Sequence, residues 1–96
     1  MFKKLKPKAL DRDGAEEIGV QALTFLAADD TRLARFLSLT GIAPGDLIVG
    51  AREAAMLAAV LEHLSSDESS LLMFCAEQSV PPEHVAAALA LFEKAM

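Results

Sequence analysis

Apolar residues return along this chain every three to four positions, and the stripes they form break at polar or glycine-containing junctions. Ile18, Ala22, Phe25 and Leu26 recur at i, i+4, i+7 and i+8, which is one face of a helix. Asp11 or Asp13 is placed to cap it, and Glu16 and Glu17 suit the positive end of its dipole. Asp29-Asp30 stops that helix and caps a second, whose stripe is Leu33, Phe36, Leu37 and Thr40 and whose stop is Gly41. Pro44 suits the first position of a short third helix carrying Leu47 and Ile48. Leu47–Val49 has strand propensity, but no second strand exists to pair with it, so a short helix is expected.

Arg52 to Leu64 reads as the most apolar helix, with Met56, Leu57, Val60, Leu61 and Leu64 over a wide arc. Ser65-Ser66-Asp67-Glu68 matches a capping box and opens a fifth helix carrying Leu71, Phe74, Cys75 and Gln78. Pro82 begins a sixth, with Val85, Ala88, Leu89 and Phe92 as its stripe. The expected fold is all-α: a compact bundle of about six short helices, held by packing because each is too short to stand alone.

A shift of 38 residues lays one half of the chain on the other. Leu23 falls on Leu61, Leu26 on Leu64, Asp29 on Asp67, Leu33 on Leu71, Phe36 on Phe74 and Pro44 on Pro82. The matches fall on caps, core stripe and helix-opening proline, so two pseudo-repeats, 16–50 and 54–88, are expected to share one core.

Composition agrees with this. The chain has 96 residues, 53% of them hydrophobic, which suits one folded domain rather than disorder. Its longest apolar runs, Ala54–Leu61 and Val85–Phe92, are far below the roughly 20 residues of a bilayer span. No apolar stretch follows the first lysines, so no secretory leader is expected. A single cysteine fits a reducing compartment, and a cytoplasmic location is expected.

Charge divides the chain. Residues 1–12 carry Lys3, Lys4, Lys6, Lys8 and Arg12 against Asp11 alone, and read as a basic flexible arm interrupted by Pro7. Residues 13–96 carry four basic side chains against thirteen carboxylates and form the helical domain. An acidic body repels phosphate, so nucleic acid is a poor partner for it.

In its order of signals the chain resembles a family of short uncharacterised all-helical bacterial proteins, a domain-of-unknown-function group. Leu23-Thr24-Phe25-Leu26, the run Arg35 to Gly41 with Pro44 and Leu47, then Leu61, Ser66-Asp67-Glu68, Leu71, Phe74-Cys75 and Pro82-Glu83 carry the resemblance. It extends over about Ala15 to Leu91. Family loops often read Gly-Leu-Asp-Pro, whereas this chain has Gly41-Ile42-Ala43-Pro44 and Ser79-Val80-Pro81-Pro82, without the aspartate caps. The resemblance implies an all-helical cytoplasmic protein and transfers no activity.

Chemistry-bearing residues are few. Cys75 could act as a nucleophile only with His63 or His84 as base, yet it lies on an apolar stripe where a buried inert thiol is usual. His63, His84, Cys75 and Asp67 lack the spacing of a metal site, so no metal and no cofactor is expected. The pairs Glu16-Glu17, Asp29-Asp30 and Asp67-Glu68 are accounted for by helix starts. Gly41, Gly45 and Gly50 punctuate the short helix and form no phosphate loop. Arg32 and Arg35, with Arg52 near, could contact phosphates from a helix-turn-helix, or pair with carboxylates on a solvated face.

What remains is apolar surplus. Val20, Leu39, Met73 and Leu91 fall off their helices' main stripes, and suit either a second buried face or a patch that binds another protein or a second copy. The expected function is a non-catalytic protein–protein interaction module. The alternative is a nucleic-acid or anionic-surface binder using Lys3, Lys4, Lys6, Lys8 and Arg12, with Arg32 and Arg35.

Overall fold

The computed structural model describes residues 10–95. Six helices account for most of them: α1 (Arg12–Ala27), α2 (Asp30–Thr40), α3 (Pro44–Val49), α4 (Ala54–Ser65), α5 (Glu68–Gln78) and α6 (Pro82–Ala95). No strand occurs among the described residues. The all-α expectation holds, and the four basic residues Lys3, Lys4, Lys6 and Lys8 lie outside the described residues. Arg12, grouped with the arm on charge, is the first residue of α1.

Local chemistry sets most boundaries. Asp11 Oδ1 accepts the Gly14 N–H at 2.8 Å, and Asp29 Oδ1 accepts those of Thr31 and Arg32 at 2.9 and 3.2 Å. Each bond satisfies an amide that has no partner inside its own helix. Gly41 ends α2 in the left-handed region at φ 75°. Ser79 does the same for α5 at φ 56°, a conformation that costs a residue with a Cβ about 1 kcal/mol or more. Ala43 caps α3 without a side-chain hydrogen bond, as the missing aspartate implies.

The junction before α5 differs from the expected capping box. α4 runs through Ser65, so the cap of α5 moves to Asp67, whose Oδ2 accepts the Ser70 hydroxyl at 2.9 Å. Ser66, between them, donates its hydroxyl to the His63 carbonyl at 2.7 Å. The helix continues one residue past Leu64 through an exposed Ser65, so Ser65 does not serve as the cap of α5.

The centre of the molecule is the mutual packing of α1, α4 and α6, with α2 laid on α1 and α4, and α5 on α1, α4 and α6. Leu57, Val60, Leu61 and Leu64 of α4 are buried, and so are Phe25, Phe36, Phe74 and Phe92 from four other helices. Burying each such side chain contributes about 1.5–3 kcal/mol. Phe25 and Phe74 meet edge to face, with ring centroids 5.6 Å apart. Gly19 lets α1 approach α4 closely, because a Cβ there would lie 3.1 Å from Leu57 Cβ.

Not every position of the expected stripes is covered. Leu33, Leu37, Leu71 and Leu89 are half-buried at the core's edge, while Thr40 and Gln78 are exposed. Thr40 instead turns its hydroxyl onto the Phe36 carbonyl at 2.7 Å.

The ends of α1 and α4, the starts and ends of α2 and α5, and the starts of α3 and α6 each stand 38 residues apart. The third helices of the two halves differ in length and packing. α6 has 14 residues and packs on both α1 and α4, whereas α3 has six and is tied down by Leu47. Ile48, expected on the α3 stripe beside Leu47, faces out: adjacent residues point about 100° apart, and one turn of helix has a single covered side.

Candidate functional site

A cleft of about 420 Å³ lies between α2, the end of α4 and the start of α5. Its floor is apolar, with Leu26 and Leu64 buried and Leu39 at the rim. Arg32 and Arg35 of α2 stand on one wall, and Asp67 and Glu68 of the α5 start on the other. His63 closes the cleft between them.

Arg32 is held in place from two sides. Its guanidinium carbon lies 4.4 Å above the centre of the Phe25 ring, and Nη2 donates to Met73 Sδ at 2.9 Å. A cation over an aromatic face is attracted by the ring quadrupole, and the contact fixes the guanidinium plane. Neither Arg32 nor Arg35 has a carboxylate oxygen within 4 Å among the described residues. Arg52 does: Nη1 lies 3.3 Å from Glu16 Oε2, on an exposed pair that contributes little to stability. That pair lines a separate cleft with Arg12 and Phe92, so Arg52 does not join Arg32 and Arg35 as a phosphate-binding triad.

His63 stands in the last turn of α4. It is half-buried, its ring set edge to face against Phe36 with centroids 5.2 Å apart. Burial holds its imidazole below the ordinary value of 6.5, and the Arg35 charge adds to this while Asp67 opposes it. Asp67 is held below the usual carboxylate range, first by the Ser70 hydroxyl, then by the first-turn amides of Ser70 and Ser69 and the Arg35 charge. Because folded His63 binds its proton less tightly than the unfolded chain does, stability from this group is complete above the unfolded pKa and declines as pH falls through 6.5. The melting temperature should therefore drop between pH 7.5 and 5.5, and His63→Gln should flatten that slope. An equal slope in both proteins would disprove the assignment.

Cys75 is buried on α5, and its thiol is pushed up first by that burial and then by Glu83. A thiol so placed is a poor nucleophile at neutral pH. His84 is exposed on the first turn of α6. No three His, Cys, Asp or Glu side chains gather as metal ligands among the described residues.

The four off-stripe apolar residues divide in two. Val20 and Leu91 are half-buried against the core, so they complete second packing faces of α1 and α6. Leu39 and Met73 are open to solvent, at 68% and 43% exposure. Sequence reasoning missed three others, Ile48, Val49 and Leu72, at 77%, 84% and 50%. The brevity of α3 was the available signal for the first two. Nothing comparable marked Leu72.

Fold and cleft together define a six-helix all-α domain with a mixed-charge cleft beside exposed apolar side chains. The chain belongs to the family described as protein of unknown function (DUF3572), whose model matches residues 12–95. Comparison with curated proteins and with solved structures found no match. No described helix is long and apolar enough to cross a membrane.

Proposed function

We propose that the protein is a small non-catalytic interaction module that binds polypeptide through its helical surface. The observation that carries this reading is the exposure of Leu39, Ile48, Val49, Leu72 and Met73, five large apolar side chains on α2, α3 and α5. Scattered leucines are common on surfaces, but two adjacent pairs on short helices are a solvation cost that a partner would remove. The matching helix boundaries support reading the two halves as copies of one unit, the first of which kept its third helix short and its apolar residues open. The raised thiol of Cys75 supports the non-catalytic part of the reading.

The full chain, used as bait with nuclease treatment and a moderate-salt wash, should retain a polypeptide that is lost when Val49→Glu or Leu39→Glu replaces the wild type. Retention unchanged by both substitutions would overturn the reading. Material released by nuclease or salt would instead favour the basic arm, because phosphate contacts weaken steeply with ionic strength.

A further inference from the structure

We propose that the partner at the α2–α5 face is a second copy of this chain, docked about a two-fold axis so that Arg35 of each copy meets Glu68 of the other and Leu39 of each meets Leu72 of the other. This rests on the interaction-module reading and deepens it.

The α2 side of the face is a single stripe. Arg32, Arg35 and Leu39 stand at i, i+3 and i+7, so two cations and a 68%-exposed leucine share one side of the helix. The α5 side pairs Glu68 with exposed Leu72 at i, i+4. The two sides are close: Met73 of α5 bonds Arg32, and the Arg35 charge is felt at both His63 and Asp67.

Charge selects the occupant. A wholly acidic segment would satisfy the arginines but be repelled by Asp67 and Glu68, and a wholly basic one would meet the reverse problem. A surface with cations on one wall and anions on the other is complementary to itself after a two-fold rotation, which brings each wall against its opposite. Arg35, with no carboxylate oxygen within 4 Å among the described residues, then gains one, and Arg32 enters the contact already oriented by Phe25. Exposed Leu39 and Leu72 lose water in the same step.

Sedimentation equilibrium on the full chain tests this. The wild type should move with concentration from the 10.2 kDa monomer toward twice that mass. Leu39→Glu should stay folded by circular dichroism and weaken association at least tenfold. Arg35→Glu and Glu68→Lys should each be monomeric alone, since each homodimer would oppose like charges at both contacts. Mixed in equal amounts they should associate one to one, because the heterodimer places Glu opposite Lys at one contact and Arg opposite Glu at the other. Unfolded variants could not be rescued by mixing, so rescue reports a contact between chains.

A wild type that remains monomeric at millimolar concentration, or single variants that associate as the wild type does, would overturn the proposal. Neither outcome bears on capture of a different polypeptide sensitive to Val49→Glu, which is the separate test of the broader reading.

Discussion

Phe74→Ala is expected to remove about 3–5 kcal/mol of stability, the usual loss for truncating a fully buried aromatic side chain. Phe74 has no exposed surface and meets Phe25 edge to face. Phe25 in turn carries the Arg32 guanidinium on its ring. The substitution thus opens a void under α5 and loosens the platform on which one wall of the cleft stands. A domain of this size has about 5–15 kcal/mol in total, so the variant should sit near the edge of folding. The chain has neither Trp nor Tyr, so far-ultraviolet circular dichroism in urea is the natural measurement. With slopes of about 1–1.5 kcal/mol per molar, the midpoint should fall by roughly 2–5 M. A loss below about 1 kcal/mol would mean that α5 does not close the core as described.

The second large effect is expected at Gly19. In an isolated helix, Gly→Ala gains about 1 kcal/mol of propensity. Here the added Cβ would stand 3.1 Å from both Leu57 Cβ and Leu57 Cδ2. Carbon atoms pack best at about 3.5–4.0 Å, and Leu57 is fully buried with its Cβ fixed to the α4 backbone. The side chain cannot swing away, so α1 and α4 must separate. Overpacking of this kind costs about 1–3 kcal/mol, and Gly19→Ala should come out destabilising by up to about 2 kcal/mol despite its better propensity. Gly45→Ala provides the contrast. No atom of the described residues lies within 4 Å of a Cβ there, so it should be neutral or slightly stabilising. Opposite signs at the two glycines would establish the close α1–α4 crossing. A stabilising Gly19→Ala would refute it.

Much of the fold was legible because its signals are local. Asp11 and Asp29 cap the helices they precede, Gly41 ends α2 in the left-handed region, and Pro44 and Pro82 open α3 and α6. Each depends on residues no more than four positions away, which the sequence displays directly. The core stripes followed from the 3.6-residue period, and Ile18, Phe25, Phe36, Phe74, Val85 and Phe92 are all buried as that period requires. The capping box failed for a related reason. Two local signals overlap at Ser65, which ends α4 while Asp67 caps α5.

The cleft was less legible. Arg32, Arg35, His63 and Asp67 were each singled out, but for separate roles, and nothing in their spacing showed that α2 and α5 would set them around one space. Arg32 is seated by Phe25 and Met73, seven and 41 residues away. His63 is half-buried because Phe36, 27 residues earlier, lies against it. Val20 and Leu39 looked equivalent on their helical wheels, yet one is covered and the other is open.

The sequence by itself therefore determined where helices begin and end and which stripe of each is apolar, because capping and helical periodicity act within a turn or two. Tertiary structure alone decided which off-stripe residues are covered, where the cations are held and which faces are left for a partner. Burial and charge environment are set by atoms from distant parts of the chain, and those meet only when the helices pack.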